Sequence, residues 1–259
     1  MNLIYEPKGK AREYSPLALN IYSTCDHGCK YCYAKFFTPN EKPKPRKNIV
    51  LELEKVANKF RNGKQVLLCF TCDAYCNEDV KHKTTRDILK VLLKNQVTTA
   101  ILTKGGKRCL RDIDLFKKFH NIKVGATLTS LDNSTSINAE PYAALPDDRI
   151  STLKVLYENG IKTWVSLEPV IAPAQVYDII KKTHTFINQF KVGKLNHSKK
   201  EHLIDWKDFC LKSITLLRKL KKDFYVKKDL AKFAPEGFLT KEETDEDNLF
   251  LKPFNEVLF

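Results

Sequence analysis

The chain has 259 residues, enough to bury a sizeable core, and its 42% hydrophobic and 29% charged composition is that of a globular protein. No stretch reaches the apolar length of a membrane span, and MNLIYEPKGKAREY turns polar too early for a signal peptide, so the expected location is the cytoplasm. A net charge of +14, from 45 Lys and Arg against 31 Asp and Glu, favours polyanionic partners, although a basic surface that serves only solubility reads the same way.

ALNIYST (18–24) reads as a short buried strand that ends just before Cys25. The proline-rich, basic stretch FTPNEKPKPRKN beyond the cysteines predicts an irregular loop. Strand-like and helix-like runs then alternate. The strands are QVLLCFT (65–71), TTAILTK (98–104), KVGATLTS (123–130), KTWVSLEPV (162–170) and KVGKL (191–195). Helical spacing joins Leu53, Val56, Ala57 and Phe60, then Ile88, Leu89, Leu92 and Leu93. Ile150, Leu153 and Tyr157 repeat it before an Asn159-Gly160 stop, as do Val176, Ile179, Ile180, Thr183 and Ile187. Such alternation predicts parallel strands with crossover helices. About six units are visible, fewer than the eight of a closed barrel, so residues 1–195 are expected to form an open, partial (β/α)6 barrel.

Residues 196–259 read as a C-terminal extension packed on that core. Trp206, Phe209, Cys210, Ile214 and Leu217 predict an amphipathic helix, FYVKKDL (224–230) a candidate last strand, and KEETDEDN (241–248) a solvated acidic segment.

In a reducing compartment, clustered cysteines point to metal or redox chemistry rather than disulfides. Cys25-Asp-His-Gly-Cys29-Lys-Tyr-Cys32 has the spacing C-x3-C-x2-C in one tight loop. An ordinary [4Fe–4S] site uses four cysteines. Three can hold three irons and leave one open to an outside ligand. The competing zinc site needs a further ligand pair, which is not evident, and His27 sits too close within the loop to serve comfortably. Cys109 and Cys210 stand alone and read as small core residues.

With Tyr31 before its third cysteine, the triplet resembles the signature of the radical S-adenosylmethionine superfamily. The series CKYCYA, FTCDAY, TTRDILKVL, ILTKGGKRCLRDIDL, EPYAALPDDR and SLEPVIAP extends the resemblance, over roughly residues 15–195, to the spore photoproduct lyase-like branch, the DNA repair photolyases. The resemblance implies a [4Fe–4S] cluster on Cys25, Cys29 and Cys32 and reductive cleavage of S-adenosylmethionine to a 5′-deoxyadenosyl radical, which abstracts hydrogen from a substrate. It also implies a reduced flavodoxin or ferredoxin-type electron donor. Cys72, Lys104, Thr127 and Glu168 are implied to border S-adenosylmethionine. Thr71, Asp73 and Ser130 also stand at predicted strand ends and are expected to face the same cavity. Tyr31 and Tyr33 are expected to pack beside the cluster and adenine, to serve a hydrogen-transfer relay, or only to shield the cluster.

The branch's hydrogen-donor cysteine aligns with Phe70 here, which puts lyase activity in question. Cys72, two residues on, would share the face of Phe70 in an extended strand, as a catalytic donor or as a wall residue. Cys69 would face the core, and Cys76 falls in the following loop. The basic stretches KPKPRK (42–47), KHKTTR (81–86) and KGGKR (104–108) are expected to ring the cavity mouth and neutralise phosphates. The leading reading is therefore a radical enzyme acting on nucleic acid, by repair or modification. A peptide or small metabolite is the alternative substrate. A non-catalytic iron–sulfur module that binds nucleic acid is the third reading, against which the set Thr71, Asp73 and Lys104 counts.

Overall fold

The computed structural model describes residues 3–196, 198 and 201–251. Seven strands form one sheet: β1 (Leu17–Leu19), β2 (Val66–Leu68), β3 (Thr99–Thr103), β4 (Ile122–Thr127), β5 (Lys162–Leu167), β6 (Gln189–Val192) and β7 (Asp223–Val226). All pairings are parallel, and the strands lie side by side in chain order. Parallel neighbours need crossovers. The helices Thr84–Lys94, Pro146–Glu158, Pro173–Thr183 and Trp206–Lys219 supply four of them, at the positions the apolar spacing predicts. The third has Pro173 in its first turn, and the second ends at Asn159 with Gly160 at φ +79°, a conformation that suits glycine.

The period-two alternation of each strand divides the core in two. Val66, Leu68, Ile101 and Val124 pack outward among helix residues such as Leu53, Ile88 and Leu92. Leu67, Ala100, Trp164 and Tyr225 form a separate inner cluster, which Leu249 joins. Gly125 on β4 makes that inner layer possible. A Cβ there would lie 2.5 Å from the Trp164 ring, whose Nε1 donates to the Ile101 carbonyl at 2.9 Å.

The open parallel barrel agrees with the expectation from sequence, but it has one strand more than the six units counted. β7 pairs with β6 in register from Gln189–Asp223 to Val192–Val226, so the C-terminal extension completes the sheet. None of residues 241–248 is buried, as expected of a solvated segment, and the segment is ordered. It forms a helix, Lys241–Thr244, with a Thr240–Glu243 capping box, and Glu243 accepts from Arg218 at 2.6 Å. Glu246 pairs with Lys228 at 3.2 Å. No described helix is long and apolar enough to cross a membrane.

Candidate active site

The strands deliver their C-terminal ends to one cavity of about 440 Å³, a volume usual for small-molecule sites. One wall is the cysteine loop that follows β1. Cys25, Cys29, Cys32, Tyr31 and Tyr33 all line the cavity, and all three cysteines are free thiols, partly buried. Among the described residues no three His, Cys, Asp or Glu side chains converge on a single ion position. A cubane cluster makes a different demand, since each thiolate takes its own iron.

The loop is pinned from both sides. The Asp26 carboxylate accepts from the backbone N–H groups of Asn77 and Glu78, at 3.1 and 3.2 Å. Tyr142 N–H donates to the His27 carbonyl, and Lys30 N–H to the Ala139 carbonyl. His27 is buried, with Nδ1 3.5 Å from Asp73 and Nε2 3.1 Å from the Arg108 guanidinium. Burial lowers the His27 pKa, and the nearby Arg108 adds to this against the pull of Asp73. Gly28, at φ +66°, packs under the Tyr142 ring, which a Cβ would approach to 2.9 Å. Burial, followed by the Asp73 charge, pushes the Cys25 thiol well above its ordinary range.

Asp73 is the keystone of the β2 and β3 ends. It accepts from Thr103 Oγ1 at 2.6 Å and from the N–H groups of Lys104 and Tyr75, both at 2.8 Å. Burial would raise its pKa, but His27 and these donors hold it below the usual carboxylate value. Its oxygens are thus committed to the protein, although the residue lines the cavity. Lys104 lies above the Tyr31 ring, 5.7 Å from its centroid. Burial disfavours the Lys104 ammonium, yet Cys29 and Glu140 keep its pKa above the ordinary value. Glu140 accepts hydrogen bonds from Tyr31 Oη and Arg149, and Arg149 also donates to the Thr127 carbonyl at 2.9 Å.

Glu168 also lines the cavity. It accepts from Tyr14 Oη at 2.7 Å, Lys191 Nζ at 2.8 Å and Lys227 Nζ at 3.1 Å. Burial would raise the Glu168 pKa, but the two ammonium groups hold it at about 2. Lys191 lies in the interior with its Nζ 3.4 Å from the Tyr14 ring centroid, and burial brings its pKa down to about 7 against the pull of Glu168. Gly193 gives Glu168 its space, since a Cβ there would lie 2.7 Å from the carboxyl carbon.

Of the residues expected from sequence, Thr71, Cys72, Asp73, Lys104, Thr127 and Glu168 meet in the cavity with the cysteine loop. Ser130 does not line the cavity; its hydroxyl donates to Gln175 Oε1 at 3.2 Å. Cys69 is buried in the hydrophobic core, as expected, and it also lines the cavity. β2 ends at Leu68, so alternation no longer orders residues 69–72, and Cys69, Phe70, Thr71 and Cys72 all line the cavity. The Cys69 thiol is hydrogen-bonded to Cys72, and burial followed by that contact raises its pKa well above the ordinary range. Cys76 is fully buried and does not line the cavity.

The expected ring of basic loops is also corrected. Arg86 is held by Asp112 and Asp114, at 2.9 and 2.7 Å, and Arg108 by the Tyr75 carbonyl, Asn77 and His27. Both are structural. Segment 42–47 stays largely exposed and does not line the cavity; of the three stretches only Lys104 lines it, together with Lys8 and the ion-paired Lys10, Lys194 and Lys227. Sequence reasoning gave no role to Lys8, Lys10, Lys194 and Lys227, to Tyr14 and Lys191, or to the Glu140–Arg149 pair. For that last pair a signal existed, because both residues stand in EPYAALPDDR.

An open parallel barrel with a three-thiol loop at its C-terminal mouth defines a class of metalloenzyme. Residues 19–187 match the family model of the radical SAM superfamily, so the chain belongs to that superfamily, whose cofactors are a [4Fe–4S] cluster and S-adenosylmethionine. An uncharacterized protein of Methanocaldococcus jannaschii is 36% identical over 183 residues, which cover 69% of this chain and 70% of that protein. An uncharacterized protein of Acidianus two-tailed virus is 28% identical over 182 residues, 64% of this chain and 59% of that protein. Streptococcus suis SuiB bound to S-adenosylmethionine shares the fold with a TM-score of 0.66 at 15% identity, over 86% of this chain but only 53% of SuiB. A spore photoproduct lyase variant with bound AdoMet and dinucleoside spore photoproduct shares it at 0.64 and 13% identity, over 82% of this chain and 76% of the lyase.

Proposed function

We propose that this chain is a radical SAM enzyme whose substrate is a nucleic acid, which it repairs or modifies. The observation that carries the reading is one cavity lined both by the three free thiols of the C-x3-C-x2-C loop and by Lys8, Lys10, Lys104, Lys194 and Lys227. In this reading Cys25, Cys29 and Cys32 hold the [4Fe–4S] cluster, and Tyr31, Tyr33, Thr71, Cys72, Lys104, Thr127 and Glu168 border S-adenosylmethionine. When bound, these cofactors supply a 5′-deoxyadenosyl radical at the expense of one electron from a flavodoxin or ferredoxin-type donor.

The protein's part is orientation and exclusion of water. Asp73 and His27 fix the cysteine loop against the β2 and β3 ends. Tyr31, locked by Glu140, offers an apolar face beneath Lys104. Tyr14, whose pKa burial and then Glu168 raise well above the ordinary value, stays a neutral phenol on the cavity wall. The net charge of +14 supports a polyanionic substrate. A base buried in a duplex would have to leave its stack to reach such a cavity.

The test is a product screen. Anaerobically reconstituted protein, reductant and S-adenosylmethionine are incubated with ultraviolet-treated DNA, untreated DNA and RNA. 5′-Deoxyadenosine formation stimulated by one nucleic acid, with a mass change in that nucleic acid, is the expected result. Stimulation by peptides or small metabolites alone would overturn the nucleic-acid reading and leave the radical SAM assignment intact.

A further inference from the structure

The segment that leaves the cysteine loop has features the cavity does not use. Tyr33, on the cavity wall, is 45% exposed, and Phe36 and Phe37 beyond it are 78% and 67% exposed. Ring centroids are 6.5 Å apart for Phe70 and Tyr33 and 5.7 Å for Tyr33 and Phe37, so an aromatic path runs from the cavity to solvent. The Lys35 ammonium lies 5.4 Å from the Phe36 centroid.

Between Ala34 and Lys47 the chain carries Lys35, Lys42, Lys44, Arg46 and Lys47 against one acid, Glu41. Lys44 pairs with that acid at 2.9 Å, and the other four cations make no ion pair among the described residues. The segment returns to the site it left. Ser23 N–H donates to the Lys44 carbonyl at 2.9 Å and Arg46 N–H to the Ile21 carbonyl at 3.0 Å, just upstream of Cys25. Exposed rings and unpaired cations therefore share one strap beside the cavity mouth.

Two adjacent phenylalanines left in water are unfavourable unless a partner covers them. A partner that is anionic along its length and flat at intervals satisfies both features. Nucleic acid has that chemistry, and only a single strand exposes its base faces to stack on aromatic side chains. Resting on the nucleic-acid reading above, we propose that residues 33–47 form a stacking and phosphate-neutralising strap for a single-stranded nucleic acid. Bases flanking the reacting nucleotide stack on Phe36 and Phe37, while Lys35, Lys42, Arg46 and Lys47 track the backbone.

Fluorescence anisotropy of the reconstituted full chain tests this, with a labelled oligothymidylate strand and a blunt duplex of equal length as probes. The single strand should bind tighter than the duplex. The double variant F36A/F37A should weaken single-strand binding about tenfold or more, with duplex binding unchanged. The triple variant K42E/R46E/K47E should weaken both and flatten the salt dependence. All five positions are exposed and outside the cavity lining, so each variant should still release 5′-deoxyadenosine with a chemical reductant.

Equal strand and duplex affinity, or oligonucleotide binding indifferent to F36A/F37A, would overturn the strap while leaving a nucleic-acid substrate intact. Failure of every oligonucleotide to bind would overturn both. If F36A/F37A instead slowed reduction by a flavodoxin-type donor with oligonucleotide binding preserved, the strap would be a protein-docking surface and the proposal wrong.

Discussion

Cys69 and Cys72 stand side by side on one cavity wall, and the thiol of Cys69 is held protonated. A thiol, unlike a thiolate, has a hydrogen atom to give, so Cys69 joins Cys72 as a candidate donor. Cys72→Ala should keep both the iron content and 5′-deoxyadenosine formation. Solvent deuterium should still enter the product, and only the double variant C69A/C72A should lose it; loss in C72A alone would restore Cys72 as the single donor. Lys104→Ala should weaken S-adenosylmethionine binding by about 1.5–3 kcal/mol, the range for hydrogen bonds to charged groups. Iron content should not change, and a titration with unaltered affinity would remove Lys104 from the site. Glu168 gives a pH signature in the cofactor-free chain. Its carboxyl is depressed from 4.5 to about 2, so its stabilising effect is full above pH 4.5 and disappears as pH falls through about 2. The shift corresponds to about 3 kcal/mol. Urea denaturation from pH 5 to 2.5 should show a shallower decline for Glu168→Gln, which should also be less stable at neutral pH because Lys191 and Lys227 lose their shared carboxylate.

At the scale of elements, strand and helix positions were legible because each segment carries a clear period. LLCF, TAIL and TWVSL are apolar runs of strand length, and the helical stripes repeat every three or four residues. The cysteine loop was legible because its ligand spacing is local. What stayed hidden depends on where an element stops and on what meets across space. The end of β2 at Leu68 gives Cys69, one residue beyond the strand, a cavity face in addition to its place in the core. The Asp73–His27–Arg108 chain joins three segments 35 or more residues apart, about which no local pattern speaks. The basic stretch at 104–108 reads as an anion-binding loop in sequence, yet Arg108 is consumed in holding His27. The inner layer likewise rests on a cross-strand fit, with Gly125 against Trp164. Gly125→Ala should therefore destabilise the chain by about 1–3 kcal/mol, the usual cost of overpacking. Thermal unfolding measures this, and an unchanged midpoint would show that the indole yields without cost.

On the scale of the whole molecule, the two ends of the open barrel are treated differently. The C-terminal end of the strands holds the cavity, with the charged groups Asp73, Lys104, Glu168 and Lys227 around it. The other end is closed by residues 248–251. Gln189 Nε2 donates to the Asn248 carbonyl at 2.7 Å, the Lys123 ammonium to the Leu249 carbonyl, and Leu251 N–H to Gln65 Oε1 at 2.9 Å. These contacts tie β6, β4 and the residue before β2 to one short segment across the barrel floor. Leu249 is buried against Leu67, Ala100 and Trp164, so it plugs the floor with apolar surface. Lys123 lies above it with its Nζ 4.9 Å from the Trp164 centroid, and burial, with the Lys162 charge adding to it, lowers its pKa to about 7. A hole in the plug would admit water to the inner layer from the side opposite the site. Leu249→Ala should cost about 2–5 kcal/mol, as for other buried leucines, and should raise hydrogen exchange at Ala100 and Trp164. The thiol loop lies at the other end, so iron binding by Cys25, Cys29 and Cys32 should survive at temperatures where the variant is folded. Loss of iron in a folded Leu249→Ala protein would instead mean that floor and mouth are coupled through the inner layer.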